Sequence, residues 1–118
     1  TQGMLIIPCS MNTVASIAHG ISENLIQRCA DVTIKEKRKL VIVPRESPLS
    51  TIHLENLLRL ANLGATILPP DPAFYLHPQS IEDVVDFVVS KALLATGVTE
   101  SLPPHLQYSN DDNRHRSL

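Results

Sequence analysis

Polar and charged side chains follow three short apolar runs in this sequence, and each run ends at a proline. Ser10 follows the first run, and Arg45 and Glu46 follow the second. Asp71 and Tyr75 come after the third. A hydroxyl, a guanidinium group, two carboxylates and a phenol could bind a phosphorylated ligand and transfer protons on it. Taken alone this signal is weak, because loops after strands are polar in every α/β protein.

The three apolar runs are predicted to be parallel β-strands that bring these side chains to one place. Strands are predicted at residues 3–7, 40–43 and 65–68, because short aliphatic runs bounded by proline are typical of buried strands. Ligands of an open parallel sheet bind beyond the carboxyl ends of its strands. The polar residues after the runs are therefore expected to line one cleft.

Helical patterns alternate with these strands. The predicted N-caps are Ser10 or Asn12, Ser22 (with Glu23 in the first turn), Ser50 or Thr51, and Ser80 with Asp83 in a capping box. Glycines are predicted to follow the helix ends at Gly20, Gly64 and Gly97. The apolar face of the second helix is Leu25, Ile26, Cys29 and Val32. The buried side of the third is predicted as Ile52, Leu54, Leu57, Leu58, Leu60 and Ala61, and the last helix carries Ile81, Val84, Val85, Val88 and Leu93.

This order of elements predicts a three-layer α/β/α, Rossmann-like (flavodoxin-like) parallel sheet. Three strands make a thin sheet, and the chain enters an apolar run within its first few residues. The chain is therefore interpreted as an incomplete fold whose missing N-terminal part would add strands. Residues 1–98 are assigned to a single domain, and residues 99–118 are predicted to be a disordered tail.

Composition excludes some classes of function. A formal net charge of −2 gives no indication of nucleic-acid binding. No apolar run reaches the roughly 18 residues of a membrane span, and no signal peptide is recognised. Two cysteines are too few for a disulfide framework, which favours a cytoplasmic location. The five histidines show no metal-ligand spacing, so no metal site is assigned.

Blocks of this sequence resemble the UbiX-type flavin prenyltransferases. The blocks are PCSMNT (8–13), RCADV (28–32) with the Lys35-Glu36 pair, LVIVPRESPL (40–49), IHLEN (52–56), PPDPAFY (69–75) and PQS (78–80). The resemblance is collinear from Gly3 to about Gly97, and the joint occurrence of the blocks is specific. The glycine-rich loop at the N-terminus of that family is not in this chain.

The resemblance implies an activity. Members of this family bind FMN and dimethylallyl phosphate, and they join the dimethylallyl group to N5 and C6 of reduced FMN without a metal. The product, prenylated FMN, serves UbiD-type decarboxylases. Members assemble into large homo-oligomers, dodecamers in the best-known cases, with sites near subunit interfaces.

The resemblance also implies roles for individual residues. The flavin is expected to contact Ser10, Met11, Asn12, Thr13 and Arg45. The phosphate of the prenyl donor is expected to contact Arg28, Lys35, Tyr75 and Lys91. Glu46 is expected to be the catalytic residue that handles protons. Lys91 departs from the arginine of relatives, which keeps the charge but loses the bidentate fork.

Two other functions stay open on the sequence. The first is an FMN-dependent decarboxylase of the homo-oligomeric cysteine-decarboxylase group, which shares the fold and a block similar to residues 8–13. The loop at 70–75 fits the prenyltransferases better. The second is a truncated chain that binds FMN without turnover. Several site residues also have a structural interpretation: Ser10 and Thr13 as helix caps, Arg45 with Glu46 as a surface pair, Tyr75 as a loop aromatic packed on the sheet, and Lys35 and Lys91 as solvated side chains.

Overall fold

The structure is a computed structural model that describes residues 3–71 and 77–97. In chain order the elements are β1 (Gly3–Cys9), α1 (Met11–Ala18), α2 (Leu25–Lys35), β2 (Lys39–Pro44), α3 (Thr51–Asn62), β3 (Thr66–Ile67) and α4 (Ile81–Thr96). The strands form one parallel sheet in the order β1-β2-β3. Alternating strands and helices produce this arrangement because each parallel connection needs a crossover, which a helix provides.

The central strand β2 supplies both faces of the sheet with aliphatic side chains. Leu40 and Ile42 pack into the core on one face, and Val41 and Val43 pack into the core on the other. All four are 2% exposed or less. A continuous apolar run is expected of a parallel strand that is covered on both faces, so β2 fixes where the two helical layers lie.

Three helices cover one face of the sheet, and the fourth covers the other. On the first face, α1 contributes Val14 and Ile17 to the core, and α3 contributes Leu57 and Leu60. On the opposite face, Ala92 of α4 packs against β2. The predicted three-layer, flavodoxin-like α/β/α class is therefore confirmed for the described residues.

The predicted strands are confirmed in place, and their ends differ. β1 continues through Pro8 to Cys9, although Pro8 was expected to stop it. The pairing register with β2 shifts between Ile6 and Cys9. Proline is tolerated in a strand at such an irregularity because no regular ladder hydrogen bond is required of it. β3 is shorter than predicted, and the Leu68 N–H still donates to the Ile42 carbonyl at 2.8 Å.

Three of the predicted helix caps are confirmed and one is wrong. Ser10, Ser50 and Ser80 cap α1, α3 and α4, each accepting a backbone N–H through its side chain. Ser22 does not cap α2. Asn24 does, since its Oδ1 accepts from the Gln27 N–H at 2.8 Å. Glu23 consequently precedes the helix instead of lying in its first turn.

At α4 the predicted capping box is only half formed. The Asp83 N–H donates to Ser80, but the Asp83 carboxylate accepts from the Gln79 N–H at 2.8 Å instead of from the cap residue. The helix ends at Gly97 in the left-handed region, with φ 85°. That conformation favours glycine and agrees with the predicted end.

The predicted buried side of α3 is partly wrong. Leu57 and Leu60 are buried, and so is Asn56, whose Oδ1 lies 3.0 Å from His19 Nε2. Positions spaced by three and four residues form this narrow inward face. The predicted set spanned most of the helix circumference, and its remaining members are exposed in this chain: Ile52, Leu54, Leu58 and Ala61.

The outer helices also turn aliphatic residues outward. α2 packs inward through small and polar residues: Gln27, Ala30 and Thr33. Its predicted apolar face is exposed, with Leu25 at 74%. Periodicity therefore identified the apolar side of α2 but not the side that is buried. The buried side is the one that carries Ala30. In α4 the buried residues are Phe87, Ala92 and Thr96, while Ile81 and Val85 are exposed.

Among the described residues, no helix combines the length and the hydropathy needed to cross a membrane.

Candidate active site

The carboxyl ends of β1 and β2 lie side by side. The Arg45 N–H donates to the Cys9 carbonyl at 3.3 Å, which joins the two loops where they leave the sheet. The Arg45 charge also acts on the Cys9 thiol. Burial raises the pKa of Cys9 from 9.0 to about 11, and the Arg45 guanidinium opposes that rise. The structure therefore brings Ser10, Arg45 and Glu46 to one edge, as predicted from the strand ends.

The first turn of α1 presents hydrogen-bond donors at this edge. Ser10 Oγ accepts from the Thr13 N–H at 3.1 Å and donates to Thr13 Oγ1 at 3.0 Å. The Thr13 hydroxyl is thereby left with its own proton to donate. The first N–H groups of a helix have no partner within it, so those of Met11 and Asn12 add further donors. The Met11 side chain is 3% exposed and packs in the core, whereas Asn12 is exposed.

Glu46 lies next to a histidine. Its Oε2 is 3.7 Å from His53 Nε2, and the Glu46 side chain is 47% exposed. On the other side of the ring, His53 Nδ1 accepts from the Ser50 N–H at 3.2 Å, which completes a capping box at α3. The sequence analysis missed His53 as a site residue. The Ser-x-x-His spacing at the start of α3, just after Glu46, was the available signal.

Lys91 lies beside the carboxyl end of β3. Its Nζ is 5.7 Å from the centroid of the Phe87 ring, within the range of a cation–π contact. An open groove separates α4 from the strand end. The groove is lined by Leu68, Pro69, Asp71, Phe87, Val88 and Lys91.

Lys35 is not brought to this edge. Lys35 is the last residue of α2 and precedes β2, whereas Arg45 follows β2. The six residues of β2 span about 20 Å, so Lys35 and Arg45 stand at opposite edges of the sheet. Lys35 Nζ pairs with Asp31 at 3.1 Å. Arg28 is exposed two turns earlier on the same helix, and Tyr75 lies outside the described residues.

The two cysteines lie in different environments. Cys9 is buried and Cys29 is exposed, and both thiols are free. Within residues 3–71 and 77–97, no group of three or more histidine, cysteine or carboxylate side chains could hold a metal ion.

A parallel α/β sheet with donors, a guanidinium group and a carboxylate at its carboxyl edge is the arrangement of a nucleotide- or flavin-binding protein. A model of the Flavoprotein family matches residues 1–93. The chain belongs to this family, and its resemblance to UbiX-type flavin prenyltransferases is confirmed.

Two curated relatives illustrate the match. The flavin prenyltransferase LpdB of Lactiplantibacillus plantarum is 68% identical over 92 residues, which cover 78% of this chain and 49% of the relative. The flavin prenyltransferase UbiX of Pseudomonas aeruginosa is 55% identical over 103 residues, which cover 87% of this chain and 49% of the relative. The chain thus spans about half the length of the curated relatives it matches.

Solved structures agree with the fold. A dodecameric FMN-dependent UbiX-like decarboxylase from Escherichia coli O157:H7 superposes with a TM-score of 0.84 at 49% identity, covering 93% of this chain and 58% of that one. AnUbiX in complex with FMN and dimethylallyl pyrophosphate superposes with a TM-score of 0.85 at 44% identity, covering 93% of this chain and 57% of that one.

Proposed function

We propose that this protein is a flavin prenyltransferase that joins the dimethylallyl group of dimethylallyl phosphate to N5 and C6 of reduced FMN. The observation that carries the proposal is the meeting of the α1 N-terminus, Arg45 and Glu46 at one sheet edge, in a chain 68% identical to a flavin prenyltransferase. The complex of AnUbiX with FMN and dimethylallyl pyrophosphate supports FMN and a dimethylallyl donor as the ligands.

The first turn of α1 fits a flavin ligand. A flavin and its phosphate present mostly hydrogen-bond acceptors, and this turn offers donors: the Thr13 hydroxyl and the N–H groups of Met11 and Asn12. The positive end of the helix macrodipole also favours an anion there. Reduced FMN would supply the electron-rich N5 and C6 atoms of the reaction. Because the Met11 side chain is committed to the core, its contribution is its backbone N–H.

Arg45 and Lys91 are the cations proposed for the phosphate ligands at this edge. Prenyl transfer without a metal requires protein cations to stabilise the charge on the departing phosphate. Among the described residues Arg45 has no ion-pair partner, so its fork is available for an anion. Lys91 is held beside the groove by its contact with Phe87. Tyr75 is retained as a further phosphate ligand by resemblance.

Glu46 is proposed to transfer protons. It is half exposed and lies between Arg45 and the first turn of α3, so its carboxyl group can reach a ligand at the sheet edge. As a carboxylate it could take the proton displaced from C6, and as an acid it could protonate the departing phosphate.

Lys35 and Arg28 would act in the site of a second copy. Lys35 lies beyond the reach of Arg45 within one chain, since the length of β2 separates them, and Arg28 is assigned to the same anion site as Lys35. A homo-oligomer with sites between subunits would reconcile their position with the proposed phosphate role, and one structural relative is dodecameric. The proposed recipient of the product is a UbiD-type decarboxylase.

The test is a mass spectrum of the flavin after the protein is incubated anaerobically with reduced FMN and dimethylallyl phosphate. A gain of one five-carbon unit on FMN is the expected result. Unmodified FMN that is still bound would overturn the transferase and favour the decarboxylase relative or binding without turnover. A parallel incubation with dimethylallyl pyrophosphate identifies the preferred donor.

A further inference from the structure

The His53 ring is held between a backbone donor and a carboxylate. Its Nδ1 accepts from the Ser50 N–H at 3.2 Å, and its Nε2 lies 3.7 Å from Glu46 Oε2. The His53 side chain is only 28% exposed. The two nitrogens therefore have different partners, and the helix cap accounts for only one of them.

The cap determines which nitrogen carries the proton in the neutral ring. A nitrogen that accepts a hydrogen bond carries no hydrogen, so Nδ1 is the bare nitrogen and Nε2 is protonated. The Nε2–H group then faces a carboxylate oxygen of Glu46. The separation of 3.7 Å is longer than an N–H···O hydrogen bond. A shift of about 0.6 Å in the Glu46 side chain would bring the pair into range.

The two partners differ in how firmly they are held. His53 lies in the first turn of α3, whose Leu57 and Leu60 are buried in the core. Glu46 lies in the loop between β2 and α3, where residues 45–48 are exposed. A functional carboxylate on such a loop needs support from a residue on a rigid element. His53 of α3 lies in the position to support the Glu46 carboxylate.

We propose that His53 is a positioning residue that orients the Glu46 carboxylate through its Nε2–H group. The placement of the Nε2–H group next to the carboxylate follows from the geometry, while its effect on turnover rests on the function proposed above for Glu46. His53 is not required to touch the flavin or the prenyl donor. Its role is to limit the carboxylate to the rotamers that serve proton transfer at the sheet edge.

The kinetic test compares two variants that weaken the same helix cap. His53→Ala removes both the cap acceptor and the Nε2–H. Ser50→Ala removes the cap hydroxyl and leaves the Ser50 N–H and the His53 ring in place. Both should lower the melting temperature, since each loses a capping interaction. Only His53→Ala should lower kcat, by about tenfold with little change in KM, which is the effect of a misplaced proton-transfer group.

A double-mutant cycle shows whether the effect passes through Glu46. In a Glu46→Gln background, His53→Ala should cause no further loss of kcat, because the group that it positions is already disabled. His53→Gln should recover part of the rate, since glutamine offers both a cap acceptor and an N–H donor. Equal kcat values for His53→Ala and Ser50→Ala, or a full tenfold further loss in the Glu46→Gln background, would overturn the positioning role.

A readout without turnover separates this inference from the proposed function. Nitrogen-15 NMR of the imidazole should show His53 as the Nε2–H tautomer. Its Nε2–H proton signal should move in Glu46→Gln and stay in place in Glu55→Gln, which alters an exposed carboxylate on the same helix. An Nδ1–H tautomer, or an Nε2–H signal that is unchanged in Glu46→Gln, would contradict the positioning role of His53 even if prenylated FMN is formed. The expected spectra without any prenylated FMN would refute the proposed function instead.

Discussion

The two edges of the sheet carry different kinds of charge. At the carboxyl edge, Arg45 has no ion-pair partner among the described residues and lies beside a capped helix N-terminus. At the amino edge, two of the cations have carboxylate partners nearby: Lys35 pairs with Asp31 at 3.1 Å and Arg38 with Glu36 at 3.2 Å. Exposed pairs of this kind contribute little to stability. These ion pairs do partly neutralise Lys35 and Arg38, which weakens the attraction of either cation for an anionic ligand.

The two edges also differ in which side chains of one chain can contact the same ligand. Ser10 is far from Arg45 and Glu46 in sequence and close to them in space because parallel strands end at a common edge. Lys35 is closer to Arg45 in sequence and lies a strand length away. The predictions below test whether the carboxyl edge is the reactive one and what the amino edge does, from the largest expected effect to the smallest.

Glu46→Gln should give the largest effect. Glutamine keeps the size of the side chain but cannot take up a proton, so the rate of prenylated FMN formation should fall by about 10² to 10⁴. FMN binding, measured by flavin fluorescence, should be nearly unchanged. Glu55→Gln, on the outer side of α3, is the control and should retain the full rate. Wild-type turnover in Glu46→Gln would remove Glu46 from the proton-transfer role and make the carboxyl edge a binding surface only.

The titration of Cys9 tests whether water reaches the protein interior beneath the polar surface of the carboxyl edge. Burial raises the pKa of Cys9 to about 11 from 9.0, so the folded protein holds this proton at a pH where the unfolded chain has lost it. The resulting stabilisation is complete below pH 9 and is lost as the pH rises toward 11. By pH 11 the loss is about 2 kcal/mol.

The measurement is urea unfolding of the wild type and Cys9→Ala at pH 8 and near pH 11. Between pH 8 and pH 11 the wild type should lose about 2 kcal/mol of unfolding free energy relative to Cys9→Ala. Comparing the two proteins cancels the contributions of all other titrating groups. Cys29→Ala, at an exposed thiol, should show no such change relative to the wild type. A pH-independent difference for Cys9→Ala would mean that water reaches the thiol.

The sheet and the polar residues at its carboxyl edge could be predicted because they depend on local signals. Aliphatic runs ending at Pro8, Pro44 and Pro69 identify strands, and the polar residues after them follow from the topology. Serine caps are also local, and Ser10, Ser50 and Ser80 were found. Asn24 was missed because Ser22 and Asn24 are nearly equivalent N-caps, and only the geometry at Gln27 distinguishes them.

The packing side of the helices could not be predicted in the same way. Leucine and isoleucine occur around most of α3, so periodicity does not choose between Leu57 and Leu58. The choice depends on which side meets α1, where Asn56 binds His19. His53 was missed for a related reason: the role proposed for it depends on the distance to Glu46, which is set by the path of the intervening loop.

Lys35→Ala tests the amino edge and should have a moderate effect. If Lys35 contacts the prenyl donor from a second copy, KM for dimethylallyl phosphate should rise about tenfold, or about 1.4 kcal/mol, in the assembled protein. Stability should change by less than about 1 kcal/mol, because its pair with Asp31 is exposed. Arg38→Ala removes a nearby exposed cation and should leave KM as it was. An unchanged KM in Lys35→Ala would confine donor binding to the carboxyl edge.

Lys91→Arg should give the smallest effect, in the direction of a gain. Arginine presents a planar fork that binds phosphate oxygens in pairs, where lysine presents a single point of charge. Arginine also retains the contact with the Phe87 ring, now 5.7 Å from Lys91 Nζ. KM for dimethylallyl phosphate should fall about threefold, and Lys91→Met, which removes the charge, should raise it by more than that. If Lys91→Arg weakens binding of the prenyl donor instead, the groove beside β3 fits the narrower ammonium group better than a guanidinium group.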